Sequence, residues 1–115
     1  MAGGISVHGV DITRGRPAEG MRVEIYAVRE KRELLAEGLL AADGSLGHPI
    51  AHSAAAGVYE VLFHVGDYFR SIGTPTSHPP FLSVVPFRFT IANPIEHYHL
   101  PLKFTPWGFS LFRGS

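Results

Sequence analysis

The sequence has no cysteine, which excludes a disulfide framework, a thiolate metal site and a cysteine nucleophile. It has no net charge either: ten Lys and Arg balance ten Asp and Glu, interspersed rather than in blocks. Without a basic patch there is no electrostatic footprint for a phosphate backbone or an anionic lipid surface, so neither a nucleic acid nor a membrane is expected as a partner. No apolar run approaches the ~18 to 20 residues of a membrane span, and the opening Met-Ala-Gly-Gly-Ile-Ser-Val-His lacks a basic stretch followed by an apolar one. These absences predict a soluble, cytoplasmic protein. Also missing are a Walker loop, a Gly-x-Gly-x-x-Gly between strand and helix, and a Gly-x-Ser-x-Gly elbow. Internal repeats and low-complexity segments are absent as well.

What is present is 115 residues, 45% of them hydrophobic. A chain of this size buries roughly two thirds of the surface its unfolded form exposes, enough for one core. A single domain over residues 1–115 is expected. Thirteen Gly and nine Pro cut the chain into short pieces, most of which alternate apolar and polar residues with period two. From Ile5 to Ile12, one face carries Ile5, Val7 and Gly9 and the other Ser6, His8 and Val10; the turn Thr13 to Pro17 follows. Met21 to Val28 is a second strand, Arg29 to Arg32 a charged hairpin turn, and Glu33 to Leu40 a third strand, closed by Asp43-Gly44. Leu46 to Ala56 reads as a short edge strand and loop.

Tyr59, Val61, Phe63 and Val65 face one way along the clearest strand. One helix is expected: Asp67 as its cap, Tyr68 to Ile72 as its turns, Gly73 as its stop. After the proline-rich loop Thr74 to Pro80, Val85, Phe87, Phe89 and Ile91 share a strand face, with Pro86 suited to an edge or bulge. His97 to Phe104 and Phe109 to Arg113 complete the set. Seven or eight such strands predict an all-β sandwich of two antiparallel sheets.

The chemistry falls to seven histidines. His48, His52, His64 and His78 stand alone in loops or on strand faces. His97 and His99 differ, because residues i and i+2 of a strand point to one face and converge. With His8 they could form a three-histidine metal site of the zinc type. Paired imidazoles can instead do acid/base work, a neutral His taking a proton from water while a neighbouring donor steadies the oxyanion.

Three segments then carry a resemblance. His97-Tyr98-His99-Leu100-Pro101-Leu102, Thr105-Pro106-Trp107-Gly108-Phe109-Ser110 and Phe112-Arg113-Gly114-Ser115 resemble the H-Y-H-V-P-L-L-L-S-P-Y-G-Y-S-T-Y-R-G-S of the transthyretin-like 5-hydroxyisourate hydrolases. Ile5 to Asp11 with Gly15 to Met21 is similar to that family's S-T-H-V-L-D…G-K-P-A-x-G-M, and Gly57 to Val61 with Gly66 to Phe69 resembles its middle. The resemblance implies a transthyretin-type sandwich of two four-stranded sheets with one short helix. It also implies a homotetramer with sites at the dimer–dimer interface, and hydrolytic opening of 5-hydroxyisourate, the product of urate oxidation. It requires no metal and no cofactor. By position it implies that His8 and His99 are catalytic and that Ser45, His97, Phe112, Arg113 and Ser115 contact the substrate.

Departures from the family pattern point to an altered pocket. The family's D-G-R turn is Asp43-Gly44-Ser45 here, so a cation is missing, for which Arg70 and Arg88 are candidate substitutes. The Tyr of Y-R-G-S is Phe112, the Tyr before Gly is Trp107, and Lys103 stands where the family has Leu. A substituted isourate, such as a methylated one, is therefore one candidate substrate. A non-catalytic small-ligand binder on the same scaffold is the alternative.

Overall fold

The alternating segments form eight strands and one helix in the computed structural model, which describes residues 3–114. In chain order they are β1 (Ile5–Asp11), β2 (Arg16–Pro17), β3 (Arg22–Val28), β4 (Arg32–Leu39), β5 (Gly57–Phe63), α1 (Val65–Ser71), β6 (Val85–Ile91), β7 (Tyr98–Thr105) and β8 (Gly108–Leu111). Two four-stranded sheets result, ordered β2-β1-β7-β8 and β4-β3-β5-β6. The second sheet is antiparallel throughout, whereas β1 and β7 in the first run parallel. That one parallel pairing departs from the antiparallel expectation. It joins segments from opposite ends of the chain, where no hairpin constrains direction.

Inward-facing side chains make the core between the sheets. Ile5 and Val7 of β1, Val23 and Ile25 of β3, Val61 and Phe63 of β5, and Leu100, Leu102 and Phe104 of β7 are all buried. Pro86 sits on β6, an edge strand, where its missing N–H leaves no ladder bond broken on the open side. Along one edge, α1 packs Tyr68 and Phe69 edge-on against Phe104, with ring centres 5.6 and 5.4 Å away. The Tyr68 hydroxyl donates to Oδ2 of the fully buried Asp11 at 2.9 Å, and the Arg14 backbone N–H donates to Oδ1 at 3.3 Å. Burial, then this carboxylate, pushes the Tyr68 phenol up to about 12. The helix is thereby tied to the end of β1.

Three local expectations are corrected. Asp67 does not cap the helix, which starts two residues earlier, at Val65, directly after β5. The Ser83 carbonyl accepts from the Gly66 N–H at 2.9 Å, so a backbone group from the loop before β6 does what a side-chain cap would do. Asp67 instead lies in the first turn and accepts from Arg70 at 2.7 Å. Second, Leu46 to Ala56 contains no strand: with Gly47 and Pro49 in it, the segment runs beside β1 and bonds to it only in places, as from Ile5 N–H to Ile50 O at 2.9 Å. Third, Arg16 and Pro17 are not only turn, since they pair with Asp11 and Val10 as the two-residue β2.

Candidate active site

Strand parity and register build the site on the outer face of the first sheet. In β1 the core takes Ile5 and Val7, so Ser6 and His8 point the other way; in β7 it takes Leu100 and Leu102, so His99, Pro101 and Lys103 do. The parallel register sets Ser6 opposite His99 and His8 opposite Pro101. His8 and His99 are thus diagonal neighbours on adjacent strands, although 91 residues separate them in sequence.

Each imidazole is anchored. His8 donates from Nε2 to the Asp43 carbonyl at 2.6 Å, an oxygen brought in by the turn that follows β4. That turn is an Asx arrangement: the carboxylate of Asp43 accepts from the Ser45 backbone N–H at 2.9 Å and from its hydroxyl at 2.6 Å through Oδ1. The same two Ser45 bonds, the hydroxyl's first, hold the Asp43 carboxyl below its ordinary range. Gly44 between them has φ +86°, and a Cβ there would lie 2.7 Å from the Gly9 carbonyl oxygen and 2.9 Å from His8 Nε2. Only glycine has both the backbone conformation and the space. Ser45 completes the closure through an antiparallel bridge with His8.

His99 is held from two sides. Ser6 Oγ lies 2.7 Å from its Nδ1, and Gly114 bridges to its backbone, the Gly114 N–H donating to the His99 carbonyl at 2.7 Å. Ser6 Oγ also lies 2.8 Å from Nε2 of His97, whose Nδ1 donates to the Gly3 carbonyl at 2.7 Å. Both ring nitrogens of His97 are committed to the protein and offer nothing to a bound molecule. Burial lowers the pKa of His99, and the neighbouring His8 and His97 lower it further. Near pH 7 the ring is neutral, the form that accepts a proton.

The remaining expected residues divide. Phe112, half-exposed at 50%, shares the His99 face, and the Lys103 ammonium stands 5.8 Å above its ring. Arg113 lies on the other side of the chain: its guanidinium stacks 4.0 Å over Tyr98, which is 6% exposed, and donates to Glu96 Oε1 at 3.0 Å and the His97 carbonyl at 3.2 Å. Within one chain it does not join the two histidines. Ser115 lies outside the described residues. Neither candidate substitute for the missing cation is on this face, since Arg70 pairs with Asp67 on α1 and Arg88 with Glu60 on the second sheet. Among the described residues no three His, Asp or Glu side chains are grouped to share a metal ion. Trp107 is 60% exposed and packs near Phe81, ring centres 6.0 Å apart.

Ser6 and the bond between His8 and the Asp43 carbonyl were the functional parts that sequence reasoning passed over, although the resemblance had placed the Asp43-Gly44-Ser45 turn at the substrate through Ser45. For Ser6 a signal was present, because it shares the strand face of His8. For the contact of the turn with His8 there was none, because the two residues lie 35 positions apart.

Comparison with known proteins identifies the family. The model of the HIUase/Transthyretin family matches residues 5–114. Among curated relatives, "5-hydroxyisourate hydrolase 2" of Rhizobium meliloti is 41% identical over 117 residues, covering 99% of this chain and 98% of its own. The 5-hydroxyisourate hydrolase of Deinococcus radiodurans is also 41% identical, covering 97% of this chain and 96% of its own. Among solved structures, that of Klebsiella pneumoniae 5-hydroxyisourate hydrolase superposes with a TM-score of 0.83 at 30% identity, over 98% of this chain and 99% of the other. An (S)-allantoin synthase superposes with a TM-score of 0.91 at 41% identity over 99% of this chain, which spans 44% of that longer one.

Proposed function

The chain belongs to the HIUase/transthyretin family, and from that membership we propose that it is a hydrolase of purine catabolism that opens 5-hydroxyisourate at a ring amide bond by histidine-assisted attack of water. The observation that carries the reading is the pair His8 and His99, diagonal on adjacent strands of an outward sheet face, with the pKa of His99 lowered by burial. A neutral His99 takes a proton from water as the oxygen adds to the amide carbonyl. The anchored His8, its Nε2–H held by the Asp43 carbonyl, orients that water through the lone pair of Nδ1, and the His99 imidazolium returns the proton to the ring nitrogen as the C–N bond breaks. Water alone balances the step, and a positioned acid/base group contributes typically ~10²- to 10⁴-fold.

The substrate's polar edge meets a pocket with one cation fewer than the resemblance implies. Ser45 fills that place, and its hydroxyl is already spent on Asp43. A charge-assisted contact contributes ~1.5 to 3 kcal/mol, so its absence is worth a factor of roughly 10 to 150 on a substrate that uses it. Lys103, on the His99 face, is the cation left to meet the substrate's carbonyls. A methylated or otherwise substituted isourate fits this altered charge pattern.

We further propose a homotetramer with the sites between dimers, in the cytoplasm. Support for the assembly comes from the exposed aromatic side chains Phe81, Trp107, Phe109 and Phe112, of which Phe81 and Trp107 adjoin with ring centres 6.0 Å apart. Assembly is also the means by which a neighbouring chain would enclose a shallow sheet face. Among the described residues no helix is long and apolar enough to cross a membrane. The test of function is the ultraviolet decay of freshly generated 5-hydroxyisourate, followed with the protein, without it and with His99→Ala. Acceleration that disappears in the variant supports the hydrolase. No acceleration, on unsubstituted or substituted isourates, refutes it in favour of a non-catalytic ligand.

A further inference from the structure

His99 acts as a base only if the lone pair that faces the substrate is free, and an imidazole has two nitrogens on which its single neutral-state proton can reside. Something must choose between them. We propose that Ser6 and His97 are positioning residues that form a relay fixing the tautomer of His99, with the proton held on Nδ1 and the lone pair presented at Nε2. The proposal deepens the hydrolase reading and rests on it for its catalytic meaning, while the relay itself is a property of the folded chain.

One group in this network has no choice of role. The Gly3 carbonyl only accepts, so the 2.7 Å contact requires a proton on Nδ1 of His97. With His97 in its neutral form the lone pair is at Nε2, whose partner among the described residues is Ser6 Oγ at 2.8 Å; the single hydroxyl proton of Ser6 is then donated to His97. With its proton used, Ser6 Oγ meets Nδ1 of His99 at 2.7 Å as an acceptor, so the proton of His99 must be on Nδ1. Three bonds in series carry the fixed polarity of one backbone carbonyl to the far nitrogen of the base.

The ends of this chain are held by the sheet. The Tyr98 N–H donates to the Gly4 carbonyl at 2.9 Å, which keeps the residues before β1 alongside the start of β7 and so keeps Gly3 in reach of His97. The ring of His99 is hemmed by Gly114, where even a Cβ would stand 3.0 Å from its Cδ2. A half-turn of that ring would exchange Nδ1 for a carbon, leaving Ser6 without its donor. The arrangement also explains why His97, with both nitrogens occupied, is placed beside the site without facing a substrate. It parallels in role the acceptor that orients a catalytic histidine in hydrolytic triads, with a neutral serine and a second imidazole replacing the carboxylate.

The experiment reads the tautomer directly. Two-bond ¹H–¹⁵N correlation spectra of the histidine rings in the full chain, at a pH where His99 is neutral, should show Nδ1 of His99 protonated and Nε2 bare. Ser6→Ala should move His99 toward the Nε2–H form and lower kcat by ~10²-fold, the lower end of what a positioned base contributes, with KM little changed. Ser6→Thr, which keeps the hydroxyl, should restore both signals. His97→Phe should reproduce the alanine result by freeing the Ser6 proton. An Nε2–H tautomer in the unsubstituted protein overturns the relay, and so does a Ser6→Ala variant in which either the tautomer or kcat stays as it was. If the expected tautomers are found but the unsubstituted protein does not hydrolyse 5-hydroxyisourate, the relay stands and it is the substrate assignment that fails.

Discussion

Replacing Gly44 by alanine separates backbone strain from damage to the site, because Gly20 provides a matched control. Both glycines have φ +86°, a left-handed conformation that costs an alanine roughly 1 to 2 kcal/mol. At Gly20 a Cβ meets nothing within 4 Å; at Gly44 it meets the Gly9 carbonyl oxygen at 2.7 Å and His8 Nε2 at 2.9 Å. The carbonyl belongs to β1 and cannot give way, so the Asp43 turn must move outward and release the bond from His8 Nε2 to Asp43. For a domain of this size, 1 to 2 kcal/mol is a fall in Tm of about 4 to 8 °C, and Gly20→Ala should show that much with kcat intact. Gly44→Ala should fall at least as far in Tm and lose ~10²-fold or more in kcat, the scale of a misplaced acid/base group. Differential scanning fluorimetry and the ultraviolet decay assay read the two quantities separately. Equal loss of kcat in both variants, or full kcat in Gly44→Ala, would refute the claim that this turn acts through His8.

Other expectations follow from the same geometry. Ser45→Arg retains the backbone N–H that holds Asp43 and adds the absent cation, so kcat/KM on unsubstituted 5-hydroxyisourate should rise roughly 10- to 100-fold; no rise would mean that the turn does not face the substrate. Because burial and its neighbours depress the pKa of His99, its neutral form persists below the ordinary 6.5; the acid limb of kcat/KM should lie below that value, and activity should be lost as pH falls through the depressed pKa. His8→Ala removes one of the lowering influences and should move the His99 titration, read by NMR, up toward 6.5; an unchanged titration contradicts the proximity of the two rings. Tyr68→Phe leaves the buried Asp11 carboxylate, among the described residues, the 3.3 Å contact from the Arg14 N–H, and chemical denaturation should show a loss of about 1.5 to 3 kcal/mol without effect on kcat.

Local chemistry was legible where one residue's neighbours in sequence were also its neighbours in space. Strand parity is such a property: period two alone put Ser6 and His8 on one face and Ile5 and Val7 on the other, and it grouped His97 with His99. The glycine at 44 and the edge position of Pro86 were readable for the same reason, since turn and ladder chemistry act over a few residues. The helix was visible but its start was not. The Gly66 N–H of its first turn is met by the Ser83 carbonyl, 17 residues further on, and no pattern within 64 to 73 encodes that partner. Likewise β2 exists only because β1 lies beside Arg16 and Pro17 with two ladder positions left to pair.

The site divides along the same line. Which side chains can do chemistry, and which way each points from its own strand, follow from amino-acid identity and the two-residue repeat of an extended backbone. The register between β1 and β7 follows from neither. It is settled by packing Val7 against the same core as Leu100 and Leu102, and a slip of one residue would turn His99 inward. That register brings Ser6 between His97 and His99 and sets His8 diagonal to His99, and the bridge of Gly114 to His99 turns Arg113 toward Tyr98 and away from them. The residues were available to the sequence, but their convergence depends on contacts across more than 90 positions, which only burial of a shared core can select.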